Sequence, residues 1–245
     1  MILAGFKDAS EVYSTTSSFF PKRIQLSKIS KVWSEMKFYQ YYINTFIFAG
    51  GCVVADVLVS GLAGYVFSRL KPKGSGVLYT ICFAMMLMPS TTSTVPVYMI
   101  IKKMGLLNSY VPIWLMSAVN IFDVFLFKSF FDGISNSLVE AAKIDGASNI
   151  KIFWKIMLPL SMPIFIVVAV FAFNAQMSSF FWPYLLIQDD TKTILGVQIY
   201  KLKTSGYTID YQMLALLFSM IPQIIIFAIF QKQIVGGINV GGVKG

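Results

Sequence analysis

The chain has 245 residues, 56% of them hydrophobic and 13% charged, with a mean hydropathy of +0.70 and a formal net charge of +9. A soluble domain carries roughly 25% charged residues and cannot cover this much apolar surface, so the composition indicates an integral membrane protein. In a membrane protein, an excess of Lys and Arg typically sets the orientation of the chain in the bilayer and contacts anionic lipid headgroups. No basic patch interleaved with aromatic residues suggests nucleic-acid binding.

Several kinds of chemistry are excluded by residues that the sequence lacks. It contains no histidine, which rules out histidine-based catalysis and histidine metal ligands. No Walker A pattern occurs, so the chain does not itself hydrolyse ATP by P-loop chemistry. Cys52 and Cys82 lie in apolar segments without metal-ligand spacing and are interpreted as small core residues. We therefore expect no metal site, no cofactor and no catalytic residue.

The apolar segments predict an all-α bundle that crosses the membrane several times. Five spans are expected at about 41–67, 77–101, 110–131, 160–182 and 212–231, with exposed loops at 7–37 and 185–211.

The first of these spans carries two pairs of small residues and one charge. Gly51/Ala55 and Ser60/Gly64 have the small-xxx-small spacing that allows close helix contact. Asp56 lies near the middle, where a carboxylate costs roughly 3 kcal/mol on insertion scales, so it should face protein or water. Either a hydrogen bond between helices or a contact with substrate would satisfy it.

The second span is interrupted by Pro89 and Pro96, with a run of Ser and Thr between them. Proline removes a helical hydrogen bond, so a kink or break is expected. The hydroxyl groups can satisfy the freed carbonyls, or the polar break can line a solute path.

Further polar residues mark two of the later spans. Asn120 and Asp123 are three residues apart in the third span, which predicts that they share a helix face directed into the bundle or a cavity. The second half of the fourth span is unusually polar for a membrane helix, which favours pathway lining by Asn174, Gln176, Ser178 and Ser179.

Residues 136–163, NSLVEAAKIDGASNIKIFWKIMLPLSMP, form a polar insert between the third and fourth spans. Its first part is rich in helix formers, and Asp145-Gly146 then ends the helix because glycine readily adopts the left-handed conformation. Ser148 or Asn149 can cap a second, amphipathic helix, which Pro159 is expected to stop. The pattern of helix, glycine hinge and second helix is typical of a docking element.

This insert resembles the EAA loop of type I ATP-binding-cassette (ABC) importer permeases. The resemblance extends through about two dozen positions, including Glu140-Ala-Ala, Asp145-Gly-Ala and Leu158-Pro-Leu. Asn44, Trp182-Pro183 and the tail 236–245, GGINVGGVKG, resemble other positions of the family, and the tail is similar to that of maltose-type sugar permeases. Two departures are Ser135, where the family often has proline, and Met177-Ser178-Ser179, which replaces a more usual Trp-Asn-Asp.

The resemblance implies the MetI-like permease fold and a multi-pass protein of the bacterial plasma membrane. It also implies a sugar or oligosaccharide importer in which this chain forms half of the pathway. The implied partners are a second permease subunit, two ATPase subunits that carry out the hydrolysis, an extracytoplasmic solute-binding protein and the lipid bilayer. Nucleic acid is not among them.

Three groups of residues take functions from the resemblance. The residues implied in ATPase coupling are Glu140, Ala141, Ala142, Asp145, Gly146 and Ala147. The residues implied in a second ATPase contact through the tail are Gly241, Gly242, Lys244 and Gly245. The residues implied in contact with the binding protein are Lys203, Thr204, Ser205, Gly206 and Tyr207.

The resemblance further implies that a first span ends near residue 6, so we expect the usual first span to be missing from this chain. The expected organisation is then 1–37 as the end of that span plus an extracytoplasmic loop, 38–235 as the permease domain and 236–245 as a cytoplasmic tail. The coupling loop occupies 132–159. The basic turn 69–73 favours its own side of the membrane, which it shares with the coupling loop and the tail, as the cytoplasmic side.

Three alternatives remain open from the sequence. The same machine could move a solute other than a sugar, or the chain could be a stand-alone channel or secondary transporter. A membrane-embedded enzyme is disfavoured because no nucleophile, base or metal constellation is present.

Overall fold

A computed structural model describes residues 5–14, 20–21 and 25–242, and all regular structure within these ranges is helical. Two helices are long and apolar enough to cross a membrane, Phe38–Leu70 and Ile209–Gln233, and two bent helix pairs also qualify when each pair is taken together. The all-helical membrane fold expected from composition is confirmed.

The described helices follow one another in the order of the predicted segments. They are α1 Ala9–Tyr13, α2 Ser27–Ser30, α3 Phe38–Leu70, α4 Ser75–Met85, α5 Thr94–Lys103, α6 Val111–Ser117, α7 Ile121–Asp132, α8 Asn136–Ile144, α9 Asn149–Leu160, α10 Met162–Met177, α11 Phe181–Leu186, α12 Leu195–Leu202 and α13 Ile209–Gly242.

The chain divides into two compact units. The first comprises Met1–Ala49, Leu107–Tyr110 and Asn174–Ala228, and the second comprises Gly50–Leu106, Val111–Phe173 and Ile229–Gly245.

Aromatic side chains form the core of the second unit. Phe127 and Phe131 of α7 are fully buried, and the Phe127 ring lies 4.6 Å from that of Phe165 on α10. Tyr65 of α3 packs against Phe153 of α9 with ring centroids 5.3 Å apart. The ends of three membrane helices are therefore joined to α9 through one cluster of rings.

The core of the first unit includes much of the segment 185–211, which is folded rather than the exposed loop that the sequence predicted. Leu195 and Leu202 of α12 are almost completely buried. The backbone N–H of Leu195 donates to the Thr45 hydroxyl at 2.9 Å, and the Asn44 side chain donates to the carbonyls of Thr191 and Thr193. Paired backbone groups allow this connection to be buried, which hydropathy alone does not reveal.

Proline and polar residues break the second and third predicted spans. The region 77–101 forms the separate helices α4 and α5, with a 3₁₀ turn at Ser90–Ser93 directly after Pro89, so the predicted break is present. The third span is also broken, with a bend of 46° between α6 and α7.

The sequence predicted that Asn120 and Asp123 share one helix face. In the structure Asn120 lies instead at the break in the third span. It is the N-cap of α7, and its side-chain oxygen accepts from the backbone N–H of Phe122 at 3.1 Å. A capping asparagine competes with helix continuation, which explains the difference.

The helix after the glycine hinge passes through Pro159 instead of stopping there. It continues to Leu160 and meets α10 at an angle of 82°. A π-helical turn at Phe153–Met157 precedes the proline, and such turns alter the hydrogen-bond register that a proline would otherwise break. The fourth span also ends earlier than expected, because α10 stops at Met177 and Trp182-Pro183 belong to α11.

Glycines of α3 allow the close helix contacts that the small-residue spacing predicts. A Cβ atom added at Gly64 would lie 2.6 Å from the Phe127 Cβ and 3.0 Å from the Lys128 backbone nitrogen. Gly51 leaves similar room for the Trp114 indole. The helix backbones can approach closely only because these positions carry no side chain.

We expect Gly64→Ala to destabilise the second unit by about 1–3 kcal/mol, because the added methyl group meets backbone atoms that cannot move independently. Gly50→Ala is the matched control, since a Cβ atom there meets nothing within 4 Å and alanine gains up to about 1 kcal/mol of helix propensity. Thermal unfolding in detergent compares the two variants. Equal unfolding midpoints would contradict the close contact at Gly64.

Candidate functional site

The predicted docking element adopts a tightly specified backbone. Ser135 is the N-cap of α8, and its hydroxyl accepts from the Ser137 N–H at 3.3 Å. At the other end, Gly146 has a φ of +75°, the Gly146 N–H donates to the Lys143 carbonyl at 3.0 Å and the Ala147 N–H donates to the Ala142 carbonyl at 2.9 Å. This is the hydrogen-bond pattern of a Schellman motif, which requires a left-handed residue at its centre.

The second helix of the element begins directly after the hinge. Ser148 is its N-cap, since its hydroxyl accepts from the Lys151 N–H at 3.3 Å. The Tyr65 hydroxyl donates to the Asn149 carbonyl at 3.3 Å, which ties the start of α9 to α3. The hinge is therefore fixed on both sides.

One face of the element is packed onto the membrane helices. Val139 and Ala142 of α8 and Ile152, Phe153 and Met157 of α9 are buried in the same cluster as Phe127 and Phe131. Ala142 therefore contacts the interior of this chain, whereas the resemblance placed it among the residues that approach a partner.

The opposite face of the element is exposed and partly apolar. Glu140, Ala141, Lys143, Asp145 and Gly146 are all exposed. Two large apolar side chains stand out beside them, because Ile144 is 87% exposed and Ile150 is 73% exposed. Isolated apolar residues are common on protein surfaces, but a group of them beside a rigid charged helix is typical of an interaction surface.

A cavity of about 250 Å³ lies between the end of α3 and α8. It is lined by Ser68, Arg69, Lys71, Asn136, Val139, Glu140 and Lys143. Three of these side chains are basic and one is acidic, so the exposed face of α8 adjoins a charged recess.

Two of the pathway candidates lie in the interior of the second unit. Asp56 and Asp123 are 4% and 3% exposed. The Ser60 hydroxyl donates to Asp56 Oδ1 at 2.7 Å, and the Asn120 N–H donates to the Ser60 hydroxyl at 3.3 Å. Ser60 of α3 therefore connects the Asp56 carboxyl group to the start of α7.

The remaining pathway candidates lie in the last turn of α10 and directly after it, in the first unit. Ser178 is exposed and accepts from the Gln223 side chain of α13 at 3.0 Å. Asn174, Gln176 and Ser179 are partly buried, and the Ser179 carbonyl lies against Gly196 of α12. Asp56 and Asp123 are therefore buried in the second unit, whereas Asn120 is exposed in that unit and Ser178 is exposed in the first.

The loop of this chain that is predicted to contact the binding protein is an exposed turn. All five residues from Lys203 to Tyr207 are exposed, and Gly206 has a φ of +76°. The Gln212 side chain donates to the Tyr207 carbonyl at 2.9 Å, which holds the turn at the start of α13.

The tail candidates are only partly described. Gly241 and Gly242 continue the backbone of α13, whereas Lys244 and Gly245 lie outside the described residues.

Sequence reasoning missed a buried ion pair in the first unit. Lys28 is 4% exposed, and its Nζ lies 2.6 Å from Asp210 Oδ2, 3.1 Å from Asp8 Oδ1 and 3.0 Å from the Lys7 carbonyl. Burial alone would lower the pKa of Lys28, but the hydrogen bonds and charges of Asp210 and Asp8 outweigh it and the pKa is raised. No periodic signal marks a lysine in a polar segment as buried, so only the fold identifies it.

Comparison with known proteins agrees with this geometry. The fold matches a chain in the crystal structure of a bacterial ABC transporter involved in the import of the acidic polysaccharide alginate, with a TM-score of 0.80, 24% identity and coverage of 94% of this chain and 87% of that one. This chain therefore shares its fold with a chain of that transporter.

Sequence comparison identifies the family. Residues 56–240 match the binding-protein-dependent transport system inner membrane component, and the chain belongs to this family of ABC importer permeases. The melibiose/raffinose/stachyose import permease protein MelC of Bacillus subtilis is 30% identical over 92% of this chain and 83% of its own length. The arabinooligosaccharides transport system permease protein AraQ of Halalkalibacterium halodurans is 27% identical over 100% and 89%.

We expect Lys28→Met to destabilise the first unit by about 3–5 kcal/mol, because it leaves the Asp210 carboxylate buried without its cation. Adding Asp210→Leu should recover most of this loss. Lys201→Met removes the exposed partner of Asp190 and should cost about 1 kcal/mol or less. Thermal unfolding in detergent measures all three variants, and a Lys28→Met midpoint no lower than that of Lys201→Met would refute the buried pair.

Proposed function

We propose that this permease forms half of the translocation pathway of a sugar or oligosaccharide importer. It works with a second permease subunit, two ATPase subunits and an extracytoplasmic solute-binding protein. Membership of the binding-protein-dependent family supports the partners. The sugar class is supported by relatives named for import of arabinooligosaccharides and of melibiose, raffinose and stachyose.

The observation that carries the proposal is the rigid element with a buried face and an exposed face. Its buried face is continuous with the core of the membrane helices through Val139 and Phe153. Its exposed face presents Glu140 and Ala141, with Ile144 beyond them. A force applied to the exposed face is transmitted to the membrane helices because the packed core between them is stiff.

ATP-driven closure of the ATPase pair then moves this element and rocks the membrane helices between inward-facing and outward-facing states. Glu140 supplies an ion pair, Ala141 permits close approach, and Gly146 sets the angle between α8 and α9. Ala142 acts from the inside by packing α8 onto the core. The element therefore lies on the cytoplasmic side, as does the tail, whose glycines reach between the ATPase subunits.

The two groups of polar residues take different parts in transport. Side chains that line a path between two permease subunits are open in a single chain, and Asn120 and Ser178 have this exposure. Asp56 and Asp123 are closed to the surface, and Asp56 accepts a hydrogen bond from Ser60, which contacts the start of α7. The exposed turn around Gly206 contacts the binding protein on the opposite side of the membrane.

Gly146 and Gly206 can test which partner each proposed contact serves. They are matched positions because both have a left-handed φ and open space around them. Proline cannot adopt this φ and lacks the N–H that Gly146 donates to Lys143. We expect Gly146→Pro to reduce co-purification of the ATPase by tenfold or more (about 1.4 kcal/mol of contact or greater). Gly206→Pro should leave that recovery unchanged and lower the stimulation of ATP hydrolysis by the loaded binding protein.

Gly105→Pro is the control, since Gly105 has a φ of +69° and open space but no proposed contact. Glu140→Lys provides a second variant at the same face as Gly146 without a backbone change. Normal ATPase recovery with both Gly146→Pro and Glu140→Lys would overturn the docking assignment.

The substrate class is tested with the cognate binding protein and the reconstituted complex. We expect oligosaccharides to bind the binding protein and to raise ATP hydrolysis by the complex, whereas amino acids, peptides and polyamines do not. If only a non-sugar solute raised ATP hydrolysis, the proposed sugar class would be wrong but the assignment as an ATP-driven importer would stand. Solute flux without any ATPase subunit would refute the importer itself.

A further inference from the structure

We propose that Arg69 positions the coupling element, by joining the cytoplasmic end of α3 to the start of α8. This inference rests on the proposed function, in which α8 transmits motion from the ATPase. Arg69 then acts as a mechanical link and contacts neither the solute nor ATP.

The contacts of the guanidinium group carry the inference. Nη2 donates to the backbone carbonyls of Phe131 and Ile134, and Nη1 donates to the side-chain oxygen of Asn136. Phe131 lies in the last turn of α7, Ile134 lies in the connection, and Asn136 is the first residue of α8. One side chain thus contacts the end of a membrane helix, the connection and the coupling helix.

The chemistry of arginine suits this position. A helix leaves its last carbonyls without intrahelical partners and carries a partial negative charge at its C-terminal end, so a cation is favourable there. The planar fork of the guanidinium offers five N–H donors in fixed directions, whereas a lysine ammonium is a single point. Lysine therefore keeps the charge but cannot hold three separated acceptors in the same geometry.

Neighbouring contacts lie close to Arg69 without repeating its link to α8. The Ser68 hydroxyl donates to Asp132 Oδ1 at 2.6 Å, and Lys128 pairs with Asp132 Oδ2 at 2.7 Å. Gly64 brings α3 against the backbone of α7. The Ser68 bond and the Gly64 contact join α3 to α7, the Lys128–Asp132 pair lies within α7, and among these contacts that of Arg69 alone reaches Asn136.

The adjoining cavity shows why this link matters mechanically. Ser68, Arg69 and Lys71 form one wall, and Val139, Glu140 and Lys143 of α8 form the other. Open space therefore separates the end of α3 from the exposed turn of α8 that carries Glu140. The guanidinium bridge at Asn136 therefore holds the near end of α8 across that space, in addition to the packing of Val139 on the core.

The first measurement is functional. In the reconstituted complex, Arg69→Lys and Arg69→Ala should retain the ATPase subunits and basal hydrolysis but lower transport per ATP about tenfold, within the usual range of coupling between sites. Asn136→Ala should give the same loss, and combining it with Arg69→Ala should add little more. Asn136→Asp keeps the acceptor and should retain coupling.

Ser68→Ala is the matched control, because it removes a bond between α3 and α7 but leaves the link to Asn136. It should leave transport per ATP unchanged. A cap that only stabilises the fold predicts equal effects of Arg69→Ala and Ser68→Ala on transport per ATP among molecules that remain folded, and that result would overturn the proposal.

A second measurement does not depend on the ATPase. Spin labels at Lys73→Cys and Asp145→Cys, in a Cys52→Ala, Cys82→Ser background, report the distance between the α3 end and the hinge. We expect Arg69→Lys to broaden this distance distribution and Ser68→Ala to leave it unchanged. An unchanged distribution in Arg69→Lys refutes the positioning role, whereas failure of the wild-type chain to retain any ATPase refutes the proposed function instead.

Discussion

The packing of the polar insert onto the aromatic ends of the membrane helices is the constraint on which the rest of the structure depends. Phe127, Phe131 and Phe165 supply a cluster of rings, and α8 and α9 cover it with Val139 and Phe153 among others. An insert that only floated beside the bilayer would absorb any movement imposed on it. Because protein interiors are close-packed and resist compression, a packed insert moves together with the helices it covers.

Helix contacts within the membrane region rest on small residues and polar bonds, because lipid offers no hydrophobic driving force between helices. Gly51 and Gly64 let other helices approach α3. Ser60, which is hydrogen-bonded to Asp56 in the same helix, supplies a polar contact to the start of α7. Proline and polar residues break two of the spans, and the backbone polar groups that a break leaves free must be satisfied within the protein. Each interrupted span regains its hydrogen bonds locally, as Asn120 does by capping α7.

Much of the insert made of α8, the glycine hinge and α9 could be predicted from sequence because its signals are local. Gly146 adopts the left-handed φ and Ser148 caps α9. The helix break at Pro89, in the second predicted span, follows from an equally local signal. The predictions that failed depend on tertiary context. Hydropathy could not show that Leu195 is buried, that helix α9 passes through Pro159 or that Lys28 finds two carboxylates. Arg69 was assigned only to a basic turn, since its acceptors lie more than sixty residues away.

The composition of the exposed face favours the proposed docking role of the insert over contact with lipid. A segment that lay in the bilayer would not present Glu140, Lys143 and Asp145 together, because each charge is costly in hydrocarbon. A segment that simply faced water would not leave Ile144 and Ile150 so open. Mixed charge and apolar surface on a rigid helix is the composition of a protein interface, where apolar contacts supply affinity and charges set the register. The same helix is held from behind by its packed face, so a partner that binds the exposed face gains direct leverage on the membrane helices.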